Sequence, residues 1–294
     1  MNSHKEYAYA KINLFLDVEG MREDGFHNIT TVMHTVSLCD DITVSVVPAR
    51  ATTVTMNIEG NRFLPTDNKN LAARAAYLFL ERIGRSAAVN IKLVKRIPIA
   101  AGLAGGSTDA AAVLRAMNKL YKRPLTEGAL LALSAELGSD IPYCIKGRTA
   151  LCRGRGEEMT ELLSALDLYT VVAVGNEHVS TPAAYRELDR IYSSFDGGVP
   201  HNAEDALTAT IDGVRSGSMP TEAFYNIFED AILPICDDAR EIKRKLVELG
   251  AKAALMSGSG PSVFGVFDSE SEARAAEGKM RAAGYTAFYA RSVK

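Results

Sequence analysis

Cysteine and histidine are few and scattered in this 294-residue chain. The four cysteines, at positions 39, 144, 152 and 236, form no Cys-x-x-Cys pair, so we expect reduced and mostly buried thiols. The five histidines form no His-Glu-x-x-His motif. Both absences argue against a disulfide framework and a structural zinc site.

Long apolar runs and an excess of charge of one sign are also missing. No run approaches the about 20 residues that a membrane helix needs, and segment 1–9 lacks the apolar stretch of a signal peptide. A net charge of −3 argues against a nucleic-acid partner. We therefore expect a cytoplasmic protein, monomeric or homodimeric, with no membrane and no nucleic-acid partner. An anionic ligand stays possible, because backbone N–H groups often hold phosphates.

The composition is that of a globular protein with a large core. Hydrophobic residues make up 47% and charged residues 23% of the chain. Strand-like and helical segments are mixed without regular alternation, which favours an α+β fold. The length suggests one large or two modest domains, and we place a boundary near 153–162, dividing the chain into 1–158 and 159–294.

The most informative segment is a run of small residues at 98–109, between a predicted strand at 89–94 and a predicted helix from Asp109. Small residues let the backbone approach a ligand closely, and the free N–H groups of a helix start attract anions. The segment therefore suits nucleotide phosphates. It is not a Walker A loop, since no lysine precedes Ser107, and it lacks the Gly-x-Gly-x-x-Gly pattern of a Rossmann loop. The alternative is a tight packing turn.

Three segments together resemble the GHMP superfamily of small-molecule kinases. They are 10–16, 98–109 and 256–262. Within that superfamily, four further segments resemble the kinases that act on a cytidine diphosphate-linked polyol of the non-mevalonate isoprenoid pathway. These segments are 22–27, 137–142, 154–157 and 226–229. Ala104 and Thr108 stand where glycine and serine are commoner in the family, and both are small.

The resemblance implies a fold, a reaction and its cofactors. The fold is the two-domain α+β GHMP kinase fold, with the Gly-rich phosphate loop between strand and helix in the N-terminal, ATP-binding domain and a βαβ-type C-terminal domain. The reaction is transfer of a phosphoryl group from ATP to the 2-hydroxyl of the substrate. ATP and Mg²⁺ are the implied cofactors, and no carboxylate that holds the metal can be named.

Lys11 and Asp140 are the catalytic residues that the resemblance implies. Asp140 would accept the proton of the substrate hydroxyl, and Lys11 would pair with Asp140 and neutralise charge near the transferred group. Such a pair suits phosphoryl transfer, which depends mainly on positioning and electrostatics. Residue types alone leave other interpretations open: a turn aspartate at the end of a helix, and a lysine whose ammonium reaches solvent at a strand edge.

The resemblance also implies a pocket for the cytosine of the substrate. Phe26 and Tyr185 would stack on the base, and His27 would hydrogen-bond its edge. Thr181 lies nearby, and Asn13 and Asp140 would contact or orient the substrate. The alternative for Tyr185 is ordinary core packing.

ATP contacts are implied for the phosphate loop and for a few residues beside the adenine. Ser107 is the residue expected to touch a phosphate or the metal. Asn70, Leu71 and Lys95 match positions near the adenine, although lone residues of these types are usually surface or core. The loop residues are Pro98, Ala100, Ala101, Gly102, Leu103, Ala104, Gly105, Gly106, Ser107 and Thr108.

Two other functions stay open at this point. The chain could be another GHMP kinase, of the mevalonate or homoserine type, although the pair Phe26 and His27 with Tyr185 argues against this. It could also be a GHMP-fold ligand sensor that has lost catalysis, although retention of Lys11 and Asp140 argues against that.

Overall fold

The computed structural model describes residues 2–192, 203–218, 220 and 223–293. Within these ranges, strands and helices are mixed along the chain, which confirms the predicted α+β class. None of the helices in this described part is long and apolar enough to cross a membrane.

Two compact units divide the chain, and each is assembled from separate stretches. The first unit comprises 1–10, 39–99 and 104–147, and the second comprises 11–38, 100–103 and 148–294. Strands β1 (Asn2–Met21) and β2 (His27–Pro48) each contribute residues to both units. Because this division does not follow one cut in the chain, the boundary between 158 and 159 stays a prediction.

The first unit packs helices beside a set of paired strands. Its end of β2 pairs antiparallel with β4, which pairs parallel with β3. Helix α1 buries an alanine-rich face ending in Phe79 and Leu80, and it packs on α2, whose first half is also rich in buried alanine. The elements are β3 (Thr53–Glu59), α1 (Leu71–Arg82), β4 (Ala87–Val94), α2 (Gly105–Leu120), α3 (Glu127–Ala135) and α4 (Ile141–Lys146).

The second unit contains a four-stranded antiparallel sheet of order β11-β7-β10-β9. Strands β10 and β11 both run antiparallel to β7 and lie on either side of it, so α9 joins two parallel strands with β7 between them. This split βαβ unit confirms the predicted type of the C-terminal domain. The elements involved are β7 (Tyr169–Val174), β9 (Ala253–Met256), β10 (Val263–Phe267), α9 (Glu270–Ala282) and β11 (Thr286–Arg291).

The remaining elements of the second unit surround its apolar core. Strand β5 pairs with β2 and with β6, and the short strand β8 pairs parallel with β1. Helix α8 packs on β9 and β10 and buries Ile242 and Leu246. These elements are β5 (Thr149–Arg153), β6 (Glu158–Glu161), α5 (Thr181–Tyr192), α6 (Glu204–Ser216), β8 (Tyr225–Asn226), α7 (Phe228–Ile232) and α8 (Asp237–Glu248).

Two local features differ from the sequence-based expectation. Helix α2 begins at Gly105, four residues before the predicted start at Asp109, so the last part of the phosphate loop is already helical. Glycine has a low helix propensity, so the pair Gly105 and Gly106 made a later start of α2 more plausible from the sequence. The residues at 39–41 continue a single strand, β2, with Asp40 buried in it, although two adjacent aspartates are more typical of a turn.

Candidate active site

In the phosphate loop, residues 98–108, positive φ values recur at every second residue from 100 to 104. Ala100, Gly102 and Ala104 have φ values of 52°, 74° and 57°, and the residues between them lie outside the positive-φ region. Residues with φ of opposite sign in succession are typical of backbone nests, in which N–H groups can turn towards an anion. The two alanines adopt this strained conformation without the freedom of glycine, so the loop is held by its surroundings.

The loop leads directly into the first turn of α2. Ala104 occupies the N-cap position and supplies no side-chain cap, so the N–H groups of Gly105, Gly106 and Ser107 lack helical partners. Gly106 is exposed and Ser107 half-buried. The helix dipole adds a partial positive charge here. The first turn of α2 can therefore bind an anion through its backbone.

Thr108 is already committed to protein contacts. Its hydroxyl is buried and donates to the carbonyl of Tyr9 at 2.8 Å, and its N–H donates to the carbonyl of Ala104 at 2.9 Å. Thr108 therefore anchors the first turn of α2 to β1, and its predicted contact with ATP stays a prediction.

Lys95 lies behind this turn, in a buried ionic cluster of the first unit. Its ammonium donates to Asp40 Oδ2 at 2.5 Å, to Asp109 Oδ2 at 2.7 Å and to the carbonyl of Gly105 at 3.2 Å. The three acceptors use the three N–H groups that a lysine has. The resemblance placed Lys95 near the adenine, whereas in the structure its ammonium donates to protein groups. We call Asp40, Lys95, Gly105 and Asp109 the loop stem.

Asp109 is the least satisfied member of the loop stem. Its Oδ1 is buried and has no hydrogen-bond partner among the described residues. Burial raises the pKa of this carboxyl, an effect that Lys95 opposes and Asp40 reinforces. Two carboxylates around one ammonium would leave a net negative charge, so the raised pKa of Asp109 favours a neutral cluster.

Lys11 and Asn13 lie side by side on β1 in the second unit, and both are buried. Lys11 Nζ donates to Asn13 Oδ1 at 2.6 Å, and the same oxygen accepts the N–H of Gly258 at 2.8 Å. The amide nitrogen of Asn13 donates to Thr31 Oγ1 at 2.8 Å. Asn13 therefore holds Lys11 and segment 257–262 in place, and its predicted contact with substrate stays a prediction.

Segment 257–262 also contacts the middle of the phosphate loop within the second unit. Ser257 Oγ donates to the carbonyl of Gly102 at 3.1 Å, and Ser262 Oγ donates to that of Ala101. A Cβ on Gly102 would lie 1.9 Å from the carbonyl oxygen of Ser257, so only glycine fits there. Sequence reasoning used this segment for recognition alone, and the structure shows that it supports the loop.

His27 and Tyr185 contact each other in the second unit, and their predicted contacts with cytosine stay a prediction. Their rings stack with centroids 4.7 Å apart, and Tyr185 meets Phe228 edge-on at 4.9 Å. His27 Nε2 lies 2.8 Å from Asp189 Oδ1. We call His27, Tyr185, Phe228 and Asp189 the aromatic cluster. Sequence reasoning missed Asp189, although its position four residues after Tyr185 on α5 places both on one helix face.

Phe26 and Thr181 lie at more exposed positions of the second unit. The ring of Phe26 is 54% exposed, and the guanidinium of Arg155 lies 5.0 Å from its centroid. Arg155 belongs to the recognised segment 154–157, which sequence reasoning left without a role. Thr181 Oγ1 lies 2.9 Å from Ser259 Oγ, so the start of α5 meets segment 257–262.

Asp140 and the two residues at the start of α1 also lie in the first unit. Asp140 is half-buried at the N-cap of α4, and its carboxylate makes no capping hydrogen bond. Asn70 caps α1 by accepting the N–H of Ala72 at 3.0 Å, and Leu71 Cδ1 would lie 3.7 Å from a Cβ on Gly106. Leu71 therefore borders the phosphate loop. The predicted pairing of Lys11 with Asp140 stays a prediction.

Comparison with known proteins bears on these features. The GHMP kinases N terminal domain matches residues 70–148, and the GHMP kinases C terminal domain matches residues 214–286. A 4-diphosphocytidyl-2-C-methyl-D-erythritol kinase from Caldicellulosiruptor saccharolyticus is 40% identical over 277 residues, covering 93% of this chain and 91% of its own length. One from Clostridium kluyveri is 38% identical, covering 97% of this chain and 99% of its own. This chain belongs to the 4-diphosphocytidyl-2-C-methyl-D-erythritol kinase family.

Solved structures support the same fold for this family member. The crystal structure of a 4-(cytidine 5'-diphospho)-2C-methyl-D-erythritol kinase has a TM-score of 0.80 and 32% identity, covering 99% of this chain and all of the other. A homoserine kinase from Cytophaga hutchinsonii has a TM-score of 0.75 at 19% identity, which shows a shared fold alone. The resemblance to GHMP kinases and the predicted fold are thus confirmed.

Proposed function

We propose that this chain transfers the γ-phosphoryl group of ATP to the 2-hydroxyl of 4-diphosphocytidyl-2-C-methyl-D-erythritol. The observation that carries the proposal is the identity of about two residues in five, over nearly the full length, with kinases of that name. The anion-binding backbone of the phosphate loop and the stacked pair His27 and Tyr185 support it.

The proposed chemistry assigns Asp140 as the group that accepts the hydroxyl proton. Its carboxylate is half-buried and not used to cap α4, so it stays available to a ligand. Lys11 would offset negative charge on the transferred phosphoryl, and its link to Asn13 holds the ammonium at one position. The pair would contribute positioning and charge stabilisation, which dominate phosphoryl transfer.

The phosphate loop would hold the triphosphate through main-chain N–H groups. The alternating backbone at 100–104 and the first turn of α2 supply these donors, and exposed Gly106 leaves room for a phosphate. Ser107 would add a hydroxyl to a phosphate oxygen or to the metal.

Mg²⁺ is proposed to accompany the nucleotide. Within the part of the chain that the structure describes, no three or more His, Cys, Asp or Glu side chains are grouped to hold a metal ion. Mg²⁺ commonly takes phosphate oxygens, waters and one or two protein oxygens as ligands. Ser107 Oγ is the protein oxygen that would serve, and the ion would offset phosphate charge.

The aromatic cluster is proposed to read the cytosine. Tyr185 offers a ring packed edge-on against Phe228, and Phe26 offers an exposed ring. His27 Nε2 contacts Asp189, so the other ring nitrogen of His27 would meet the base edge. Because His27 stacks on Tyr185 in this structure, a base that stacks on Tyr185 must compete with the imidazole or slide beside it. Thr181 would lie at the border of this pocket.

Turnover of ATP against a panel of alcohols tests the proposal. We expect phosphorylation of the cytidylyl compound and none of mevalonate or homoserine, because only the former offers a base to the aromatic cluster. CMP should inhibit and UMP far less. Turnover of mevalonate or homoserine instead would identify another GHMP kinase, and no turnover with any alcohol despite ligand binding would indicate a sensor. We further propose a cytoplasmic monomer or homodimer, since ATP is a cytoplasmic metabolite.

A further inference from the structure

The loop stem ties together the two ends of the phosphate loop. On the entering side, Asp40 Oδ1 accepts the N–H groups of Arg96 and Ile97, directly before Pro98. On the leaving side, Lys95 donates to the carbonyl of Gly105 and to Asp109, one turn into α2. The ion pair between Asp40 and Lys95 joins both sides. One buried cluster therefore fixes where the loop begins and where it ends.

The charged groups of the cluster are enclosed by protein, and within it Asp109 Oδ1 alone lacks a hydrogen-bond partner among the described residues. The side chains of Lys95, Asp40 and Asp109 are between 0% and 4% exposed, and all three N–H groups of Lys95 have protein acceptors. A lysine held in this way contributes geometry, because its ammonium is fully engaged by Asp40, Asp109 and the carbonyl of Gly105. The loop needs such support, since Ala100 and Ala104 hold positive φ values that alanine disfavours.

We propose that Asp109, acting through Lys95, is a positioning residue that sets the affinity for ATP without touching it. The inference rests on the proposed function in that ATP is the ligand of the loop. Loss of the Asp109 carboxylate removes one of three anchors of Lys95 and loosens its hold on the carbonyl of Gly105. The N–H groups of the first turn of α2 then lose their fixed directions, which weakens their bonds to phosphate oxygens.

The test compares Asp109→Ala with the conservative Asp109→Asn in the full chain. Direct titration with ATP and Mg²⁺ measures affinity, and steady-state kinetics gives KM for ATP and for the cytidylyl substrate separately. We expect Asp109→Ala to weaken ATP binding about tenfold, the effect of losing a hydrogen bond to a charged group. Asp109→Asn should stay within about threefold of the native chain, since its amide oxygen still accepts from Lys95. KM for the second substrate should not change.

Glu6→Gln provides a control that loosens the contact of β1 with the same helix. Glu6 pairs with Arg115 and Lys119 of α2, away from the loop. This variant should lower the melting temperature and leave ATP affinity unchanged. An equal loss of ATP affinity in Glu6→Gln and Asp109→Ala would overturn the inference, because general destabilisation of α2 would then explain both. An Asp109→Ala variant that loses stability but keeps native affinity for ATP would also overturn the inference.

Gly105→Ala tests the same idea without deleting a buried charge, should Asp109→Ala fail to fold. A Cβ at position 105 would lie 3.1 Å from Lys95 Nζ and from Ile97 Cγ2, so these side chains must shift by a few tenths of an ångström to admit it. We expect weaker ATP binding here too, and native affinity would overturn the inference. If the native chain does not bind ATP, the proposed function fails together with the inference. If the native chain binds ATP and these variants bind equally well, only the inference fails.

Discussion

The loop stem and the aromatic cluster differ most in how deeply each is buried. In the first unit, the carboxylates and the ammonium of the loop stem are almost wholly excluded from solvent. In the second unit, the aromatic cluster runs from buried Phe228 to the Asp189 side chain, which is 40% exposed. The first region is a closed set of ionic contacts, and the second is a set of single contacts that reaches solvent at Asp189.

The difference follows from what each region is proposed to recognise. Backbone N–H groups cannot rotate towards a ligand, so the chain that carries them must be fixed beforehand. A buried ionic cluster does this, at the cost of removing charges from water. Aromatic side chains can turn to meet a base, so they tolerate a more open setting. Recognition through main-chain N–H groups therefore needs a supporting cluster, and recognition through side chains needs less fixed support.

The largest effect is expected from a residue in neither region. Asp140→Asn should lower kcat by at least about 100-fold, a typical general-base contribution, while KM for both substrates changes little. The fold should hold, since the Asp140 side chain makes no capping bond. Asp237→Asn, in the first turn of α8, is a control that should keep native turnover. Native kcat in Asp140→Asn would show that Asp140 is not the proton acceptor.

The sequence predicted the phosphate loop well because the local order of the chain defines it. A strand, a run of small residues and a helix are consecutive, so spacing and residue type suffice. The stacking of His27 on Tyr185 could not be obtained in that way, since the two residues lie in separate parts of the chain. Only the resemblance to GHMP kinases indicated that they come together.

The residues that support the proposed contacts were harder to predict. Asp40 is 55 positions from Lys95, and Asp189 is 162 positions from His27. Periodicity reports on the face of one element and carries no information about which distant side chain completes an ion pair. The buried Asp40 was also obscured by its polar neighbour Asp41, because adjacent aspartates are typical of a turn.

Removal of an aromatic ring should sharpen the contrast between the two regions. Tyr185→Ala should raise KM for the cytidylyl substrate about tenfold or more, as expected for loss of base stacking, and should leave KM for ATP unchanged. Tyr185→Phe keeps the ring and should behave nearly as the native chain. A rise in KM for ATP, or an equal loss in the two variants, would contradict a stacking role.

The second unit also has an acid-sensitive support at His34. Buried His34 lies 2.8 Å from Thr149 Oγ1 and from Ser292 Oγ, and burial lowers its pKa to about 4. An unfolded chain takes up this proton below an ordinary pKa of about 6.5, whereas the folded chain does not until about 4. Stability is therefore fully present above the unfolded pKa and is lost as the pH falls towards 4.

The lowered pKa of His34 predicts a specific change in the pH dependence of the free energy of unfolding. Between pH 7 and pH 5, His34 should account for a loss of about 2 kcal/mol in the free energy of unfolding. His34→Gln should remove this part of the acid loss in denaturant titrations at the two pH values, whereas His4→Gln, at a half-exposed position near the start of β1, should not. An unchanged acid loss in His34→Gln would mean that the imidazole titrates normally in the folded chain.

Gly106→Ala, which adds one methyl group, should affect the phosphate loop alone. On the protein side it would meet only Leu71 Cδ1 at 3.7 Å, so the fold should not change. KM for ATP should rise about fivefold, the size expected from weakening one hydrogen bond, with KM for the second substrate unchanged. Gly128→Ala adds a methyl group at the equivalent second position of α3, where nothing lies within 4 Å. If both variants keep native kinetics, the first turn of α2 does not face the nucleotide.

The smallest effect is expected from Asp189, and it tests how little support the aromatic cluster needs. Its carboxylate meets His27 Nε2 near the surface, where such pairs contribute little. Asp189→Asn should therefore raise KM for the cytidylyl substrate only about two- to threefold, without changing kcat or KM for ATP. Glu187→Gln, which removes a partner of Arg190 on the same helix, should have no effect on either KM. A tenfold or larger loss in Asp189→Asn would mean that the ring of His27 must be fixed in advance. The aromatic cluster would then resemble the loop stem, and the contrast between main-chain and side-chain recognition would not hold in this protein.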